Sequence, residues 1–455
     1  MEFKSILERF VKDCPHTVMV RALLEHAFSP EKLNAIYEET TEQQYTRELL
    51  FSSVFELMHQ VVFKVHPSIH AAYERKDRNE IGVSLTSVYN KLNGIEDSIS
   101  EALVRYSAES VIPIIKNLSG EKKEWLKGYN VRLLDGNCIE GTEHRLEVLR
   151  NLPSAALPGK SLVVLDPALA TVVNVFLCQD GHAQERSLLS RVLESVEKND
   201  LWICDRNFCV LSFLQGISDK NGYCIIRQHQ NLPFEEISPF TSCGKTDTGK
   251  ISEQKIRITN DGGKSLILRR IRIELSEPTR DGDTVLYIVS NLPSSVVSAK
   301  KIAELYRKRW TIETAFQHLE KNLHSEINTL GYPRAALFGF CVALIAYNIM
   351  AVIFATLVKL HGEETVQNKV SSFHLTLDIT GVYRGMMIAI PKDNWITFSK
   401  YTTQEMSDFL MELAEKIDLN KIRKKSRGKK KSVSKIKYDS KKPHVSTARL
   451  LAKAR

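Results

Sequence analysis

The sequence lacks the cysteine spacing that zinc sites and disulfide frameworks require. Its eight cysteines are scattered over 455 residues, with no CxxC pair and no His/Cys cluster at metal-ligand spacing. Structural zinc is held by closely spaced Cys and His ligands, and disulfide-stapled secreted domains are dense in cysteine. We therefore predict reduced thiols and a cytoplasmic protein. The N-terminus, MEFKSILERF, also lacks the apolar core that marks a signal peptide.

Long apolar runs are scarce as well. Only residues 335–358 form a stretch that is long enough to cross a bilayer, and no charge follows Arg334 within it. It contains Gly339, Tyr347 and Asn348, and no other segment resembles it. We therefore predict a buried core helix and no membrane partner, with a membrane-spanning helix as the alternative.

Acidic residues are almost absent from one end of the chain. Residues 421–455 hold 15 Lys and Arg and one acidic residue, Asp439, which gives them +14. The whole chain carries +9, so residues 1–420 carry −5. We predict a basic tail that is disordered in isolation and contacts phosphates without reading sequence. A solubilising tail with no partner is the alternative.

Changes in residue pattern divide the remainder into segments. Residues 1–125 show helical spacing, residues 126–229 follow a β-β-β-α-β-α-β order, and residues 230–296 are rich in β-branched strands. Residues 297–360 hold a long helix and the apolar helix, and residues 361–420 form a helical C-terminal region. The predicted fold class is α/β, a mixed sheet with a β-rich insertion, an N-terminal all-α domain and a helical C-terminal part.

Three acidic residues are candidates for one site. Asp135 lies at the end of the first predicted strand and Asp205 at the end of the fourth. Ligands gather beyond the carboxyl ends of strands, so these two can converge across 70 residues of sequence. A third acid is needed to hold two divalent metal ions, and we choose Glu313. Each acid could instead be an ordinary turn or surface residue.

The choice of Glu313 depends on the geometry of one predicted helix, residues 298–325. Its apolar side chains fall on one stripe, formed by Ile302, Leu305, Ile312, Phe316, Leu319 and Leu323. Tyr306, Arg309 and Glu313 form a second stripe beside it. If the apolar stripe packs on the sheet, Glu313 can point at the strand ends, and Arg309 can bind a phosphate bidentately.

Three motifs then resemble a known family. The segment YRKRWTIETAFQHLEK resembles the Tyr-x2-Arg-x3-Glu signature of the DDE transposases of insertion-sequence family four. Upstream, LLDGN and WICDRNF resemble that family's first and second Asp segments. The resemblance covers about residues 125–350 and implies an RNase H-like catalytic core.

The resemblance also implies a function. It implies a DNA transposase that binds the terminal inverted repeats of its element, hydrolyses phosphodiester bonds and joins the freed 3′-OH to target DNA. Asp135, Asp205 and Glu313 would hold two Mg²⁺ ions, for which Mn²⁺ is expected to substitute. It further implies a homodimer in a synaptic complex, in the bacterial cytosol at the nucleoid. The N-terminal domain could bind the element ends.

The same resemblance suggests DNA-binding residues. Tyr306 and Arg309 would contact the DNA backbone near the cleavage site. The full signature places a Lys seven residues after the Glu, where this chain has Glu320. Lys321 follows one position later and could reach a phosphate on its flexible stem.

Other side chains have two interpretations each. Arg206 could touch DNA or shape the turn in which it lies, and Trp310 could stack on a base or pack against the core. Arg269, Arg270 and Arg272 form a basic strand that suits a phosphate groove or a charge-protected sheet edge.

Two rival functions remain open at this point. The first is an RNase H-like nuclease that cuts DNA without strand transfer. The second is a DNA-binding protein with an inactive core.

Overall fold

A computed structural model of the chain describes residues 2–42, 48–75, 81–279, 282–425 and 444–454. Its N-terminal part is all helical, as predicted. Serine side chains cap three of these helices: Ser29, Ser68 and Ser84 each accept a hydrogen bond from a backbone N–H in the first turn. The helices are α1 (Glu2–Asp13), α2 (Pro15–Ala27), α3 (Pro30–Thr40), α4 (Phe51–Val62), α5 (Ile69–Glu74), α6 (Leu85–Gly94) and α7 (Asp97–Asn117).

One ten-stranded sheet lies at the centre of the molecule. Its strand order is β4-β3-β1-β5-β6-β11-β10-β9-β7, and β8 pairs with β9 outside this path. The strands are β1 (Asn130–Cys138), β3 (Lys160–Asp166), β4 (Thr171–Cys178), β5 (Asp200–Cys204), β6 (Tyr223–Arg227), β7 (Glu235–Glu236), β8 (Thr241–Thr246), β9 (Gly249–Thr259), β10 (Ser265–Leu275) and β11 (Val285–Ser290). A short strand, β2 (Ala156–Leu157), lies in a separate two-stranded sheet.

The first five strands of the large sheet form an RNase H-like core. Strands β4, β3 and β1 are an antiparallel meander, and β5 and β6 then run parallel to β1. The predicted fold class is therefore confirmed. The predicted insertion is β-rich, and β11 pairs antiparallel with β6. The strands of the insertion thus extend the same sheet. The predicted domain boundaries remain predictions.

Two short helices, α8 (Leu189–Glu194) and α9 (Leu211–Asp219), pack on one face of the sheet. The opposite face carries the helices that follow the insertion. There the prediction of one unbroken helix over residues 298–325 was wrong, because α10 (Ala299–Arg307) and α11 (Trp310–Asn322) are separate. Around Arg309 the backbone bonds switch to the i−3 pattern, for example from Ile312 N to Arg309 O at 3.1 Å. This tighter turn interrupts the α-helix.

The apolar stripe predicted for this region is nevertheless buried. Its members Ile302, Leu305, Ile312 and Leu319 are at most 1% exposed. Phe316 is partly buried against the same core. Both helices therefore use the predicted face to pack on the sheet.

Helix α12 (Pro333–His361) is the apolar segment singled out in the sequence. Among the described residues it is the one helix long and apolar enough to cross a membrane, and 83% of its most apolar window is buried in the protein. Its Asn348 is fully buried and hydrogen-bonds to both backbone groups of Val172 at 2.8 Å and to Ser107 Oγ at 2.7 Å. Helix α12 is thus a core helix.

Three helices and a docked segment complete the described chain. They are α13 (Glu363–Lys369), α14 (Ser372–Ala389) and α15 (Thr403–Ala414), followed by β12 (Val445–Ser446) and α16 (Thr447–Ala454). Strand β12 pairs with β2, and Arg449 binds Asp180 at 2.7 and 2.8 Å. Residues 444–454 of the predicted tail are therefore ordered, because they bury Ser446 and Thr447. The basic run at residues 426–443 lies outside the described residues.

Candidate active site

Asp135 and Asp205 lie side by side on two parallel strands. In the ladder between β1 and β5, the last paired residues are Leu134 and Cys204. The next residue along the chain after each of them is an aspartate, Asp135 within β1 and Asp205 just beyond β5, so both acids stand at the same level of the sheet. Neighbouring strands are about 4.8 Å apart, which makes this register the closest approach that the backbone allows.

The alternation of side chains along the strands places both acids on one face. Leu134 and Cys204 belong to the core cluster beneath α8 and α9, while Leu133 and Ile203 belong to the opposite cluster. Side chains alternate along a strand, so Asp135 shares the face of Leu133. That face is covered by α10, α11 and α12.

The position of Asp135 differs from the prediction in one respect. It was expected at the end of its strand, but β1 continues to Cys138. Asp135 still pairs with Val163 of β3, whereas β5 ends at Cys204. The parallel partner stops while the antiparallel partner continues, and this leaves Asp135 beside an open edge. Asp205 directly follows β5, as predicted.

Arg309 connects the third acid to the first. Its Nη1 donates to Asp135 Oδ2 and its Nη2 to Glu313 Oε1, each at 2.8 Å. The Arg309 side chain is 10% exposed, that of Asp135 19% and that of Glu313 30%. Glu313 lies in the first turn of α11, where the helix dipole favours a negative charge. One guanidinium thus holds two acids that are 178 positions apart in the sequence.

The charges of all three acids act on one another and on Arg309, although only Asp135 and Glu313 contact the guanidinium. Burial raises the pKa of Asp135 to about 6, Arg309 opposes this rise, and the charges of Glu313 and Asp205 add to it. Arg309 has a raised pKa, because the attraction of its neighbours, with Asp135 first and Asp205 and Glu313 among them, outweighs its burial. The site is therefore a cluster of negative charge around one buried arginine.

Tyr306 completes this cluster. Burial, followed by the charge of Asp205, raises the pKa of the Tyr306 hydroxyl to about 12, and the neighbouring Arg309 opposes this rise. The Tyr306 hydroxyl therefore stays protonated. The Nε of Arg309 is buried without a hydrogen-bond partner in the described part of the protein.

The donor set suits a divalent metal ion such as Mg²⁺, which prefers carboxylate oxygen. In the present arrangement, however, no three Asp, Glu, His or Cys side chains among the described residues are close enough to share an ion. The guanidinium of Arg309 lies between Asp135 and Glu313. A metal ion bound by these two carboxylates would therefore compete with the guanidinium of Arg309.

The other predicted DNA-binding residues are exposed, and they lie in different parts of the surface. Arg206 is exposed and begins the turn after β5, where its N–H donates to Asp205 Oδ1 at 2.6 Å. Trp310 is 60% exposed at the start of α11, so it does not pack in the core. Lys321 is exposed at the far end of α11 and lines a groove that none of the three acids lines. Glu320 lines a separate pocket with Lys64.

The arginines of β10 serve the fold. Strand β10 lies between β9 and β11, so it is not a sheet edge. Arg269 is buried and binds both oxygens of Glu253, at 2.6 and 2.9 Å. Arg270 and Arg272 lie over aromatic rings, 4.1 Å from Tyr287 and 4.6 Å from Phe240 respectively. The interpretation as a charge-protected sheet edge was wrong, because β10 is an inner strand, whereas the phosphate groove stays a prediction.

Sequence reasoning missed a fourth carboxylate. Glu185 begins a 3₁₀ turn, and a Cβ built on Gly136 would lie 2.1 Å from its Oε1. Its Oε2 is 3.5 Å from Asn207 Nδ2. Glu185 thus lies beside Gly136, which follows Asp135, and beside Asn207, which follows Asp205 by two residues. It lies against the face of β1 opposite to the one that carries Asp135. The glycine after Asp135 was the only sequence signal, since a side chain there would displace Glu185.

The fold and the acid pair define a protein with an RNase H-like catalytic core. Residues 127–349 match the family model described as Transposase DDE domain. Residues 127–349 are therefore similar to a transposase DDE domain, and the resemblance to the transposases of insertion-sequence family four is confirmed.

Individual relatives are distant. A protein named as the candidate transposase of insertion sequence element IS4SA from Synechocystis is 24% identical over 173 residues, which are 37% of this chain and 46% of that protein. The candidate transposase y4zB of Sinorhizobium fredii is 22% identical over 162 residues, 35% of this chain and 44% of that protein. The matched part therefore spans less than half the length of either relative.

One solved structure also matches. It is a piggyBac transposase synaptic complex with hairpin DNA, 12% identical, with a TM-score of 0.39. The match covers 95% of this chain and 90% of that one.

Proposed function

We propose that this protein is a DNA transposase whose catalytic acids are Asp135, Asp205 and Glu313. The observation that carries the proposal is the pairing of Leu134 with Cys204, which aligns the two aspartates, together with the Arg309 bridge to Glu313. Such a carboxylate cluster at the ends of parallel strands suits phosphoryl transfer. The transposase DDE domain over residues 127–349 supports this choice of chemistry.

Each side chain has a defined task in this proposal. Asp135, Asp205 and Glu313 would hold two Mg²⁺ ions. When bound, these ions supply a hydroxide nucleophile and charge stabilisation for the leaving oxygen. Arg309 carries a permanent positive charge, and in this proposal it would bind a substrate phosphate through the Nη groups that hold Asp135 and Glu313. Tyr306 keeps its hydroxyl protonated and donates a hydrogen bond at the same place.

The experiment is a cleavage and joining assay with the DNA that flanks the gene. The full chain is incubated with a duplex copied from that DNA, with Mg²⁺ or Mn²⁺, and with a second duplex that offers a free 3′-OH. We expect cleaved and joined products. Asp205→Asn should reduce both to background, because it removes one carboxylate with almost no change in side-chain volume.

The matched control is Asp393→Asn. Asp393 is an exposed aspartate in a short turn far along the chain from the three acids, so this change should leave both products unaltered. Cleavage without joined products would favour the nuclease alternative. Binding without cleavage, unchanged in Asp205→Asn, would favour the inactive alternative. Either result would overturn the proposal.

The wider biology is part of the same proposal. We infer binding to the terminal inverted repeats, possession of two active sites in a homodimeric synaptic complex, and a place in the bacterial cytosol at the nucleoid. Short inverted repeats bounded by a duplicated target sequence on either side of the gene would support these inferences. Flanking DNA without such repeats would contradict them.

A further inference from the structure

A groove beside the catalytic helix collects positive charge. We call it the polar groove. It has a volume of about 580 Å³, and it is lined by Thr314, Gln317, His318, Lys321, Asn322, Ser371, Ser372, Phe373, His374, Lys424 and Lys425. No Asp or Glu is among the described residues that line it. This contrasts with residues 1–420 as a whole, which carry a net charge of −5.

The walls of the groove are fixed to one another. Asn322 Nδ2 at the end of α11 donates to Ser372 Oγ at the start of α14, at 3.0 Å. The segment that carries Lys424 is held by backbone bonds from Ser371 N to Ile422 O and from Lys424 N to Lys369 O, at 2.8 and 2.7 Å. The lysines therefore project from an anchored backbone.

The positive side chains of the groove are open to solvent. Lys321, Lys424 and Lys425 are all exposed, and the ammonium of Lys424 also donates to the backbone carbonyl of Gln367. The groove thus offers three cations to a polyanion.

Its position relates it to the catalytic acids. Trp310, Thr314, Gln317 and Lys321 follow one another at i, i+4, i+7 and i+11 along α11, which makes a continuous exposed ridge. Glu313 lies beside the start of this ridge, about 80° around the helix from Lys321. Lys321 is eight residues further on, which corresponds to about 12 Å along the helix axis. One strand of duplex DNA advances about 3.4 Å per nucleotide, so this distance equals three to four nucleotides.

Phe373 adds a surface that suits a base or a sugar. It lines the groove with 49% of its surface exposed, and its ring meets that of His374 edge-on at 5.4 Å. Exposed aromatic rings beside basic side chains are typical of surfaces that bind DNA strands.

We propose that the polar groove binds the DNA strand that leaves the active site, with phosphates on Lys321, Lys424 and Lys425 and a base or sugar against Phe373. This inference rests on the proposed function, because it names the path of that function's substrate. It also replaces the missing family lysine at Glu320 with cations from the C-terminal part of the chain.

The test measures binding rather than cleavage. The probe is a fluorescein-labelled duplex copied from the DNA that flanks the gene, and its affinity is followed by anisotropy against salt concentration without divalent metal. In the triple variant Lys321→Gln, Lys424→Gln, Lys425→Gln, we expect the slope of log K against log salt to become less steep by about 2 to 3, because each lost phosphate contact removes about 0.9. At low salt the affinity should fall about ten-fold or more.

Two controls separate this effect from loss of net charge and from misfolding. The first control removes the same charge from exposed positions elsewhere, in the triple variant Lys12→Gln, Lys198→Gln, Lys359→Gln. Its salt slope should differ from that of wild type by less than about 0.9, the value of one phosphate contact. The corresponding Lys→Arg variant of the groove keeps the charge and should bind as wild type. An unchanged slope in the groove variant would overturn the inference.

The position of the contact is tested with shortened probes. Duplexes that end fewer than about three nucleotides from the cleavage site on either side should not distinguish wild type from the groove variant. Phe373→Ala should weaken binding to a single-stranded probe about five-fold or more, whereas Ile388→Ala on the same helix should not. If Phe373→Ala binds as wild type, or if the groove instead binds a second copy of the chain, the inference fails. The proposed function fails separately, by absence of cleavage.

Discussion

Replacement of Asp135 by Asn should make the metal-free protein more stable at neutral pH. Burial raises the pKa of Asp135 from 3.8 to about 6. The folded protein therefore binds the Asp135 proton more tightly than the unfolded chain does. The stability that protonated Asp135 contributes is fully present below the unfolded pKa. It is lost as pH rises from about 4 to about 6.

The magnitude follows from this difference in pKa. At 1.36 kcal/mol per pH unit, ionisation of Asp135 lowers the free energy of unfolding by about 3 kcal/mol above pH 6. Asn has the shape of the protonated acid without its charge. Since part of the side chain is hydrated, we expect Asp135→Asn to recover about 1–3 kcal/mol, which raises Tm by about 1–5 °C in a chain of this length.

The assay is a thermal melt of wild type and variant in EDTA across a pH series. The difference in Tm should be largest at about pH 7.5 and should vanish towards about pH 4. Asp393→Asn is the control for a change of charge at an exposed site. Added Mg²⁺ should raise the Tm of wild type and not that of the variant, because it binds the folded protein through the acid that the variant lacks. A variant that is less stable than wild type at about pH 7.5, or an advantage that persists at about pH 4, would refute the reasoning.

Three further changes test separate parts of the structure. Asn348→Leu should lower the free energy of unfolding by about 2–4 kcal/mol, because it leaves both backbone groups of Val172 buried and unpaired; chemical denaturation measures this. Arg449→Ala should speed hydrogen exchange at residues 445–454 with little change in overall Tm, because the lost ion pair with Asp180 is partly exposed. Trp310→Ala should change stability by less than about 0.5 kcal/mol, since its ring is 60% exposed, while weakening DNA binding in the anisotropy assay.

The sequence was sufficient to predict the core of the sheet. The alternation of strands and helices between residues 126 and 229 predicts three adjacent strands followed by parallel ones, and the structure has this order. It did not predict where β1 ends, because strand length depends on the partner. Asp135 continues in a strand since Val163 of β3 still pairs with it, and nothing near LLDGN encodes that distant contact.

The fate of basic residues was the least predictable feature. Arg269 is ion-paired with Glu253, which lies 16 positions earlier on the neighbouring strand β9. The residues adjacent to Arg269 in the sequence therefore do not indicate that it is buried. Lys424 lies in a run that looks like a solvated tail, yet backbone bonds hold it beside α11. In both cases the neighbouring strand or helix decides what the charge does. A pattern restricted to adjacent residues does not contain this information.

The break between α10 and α11 has a physical reason that connects these observations. Three neighbouring carboxylates repel one another, and a cation placed between them offsets that repulsion. Arg309 lies in the tightened turn, which carries its side chain inward to Asp135 and Glu313. Lysine would not serve equally well, because it offers a point charge where the planar guanidinium reaches both acids at once. The interruption of the helix and the assembly of the acid cluster are therefore one feature, and Arg309 is the residue through which they are joined.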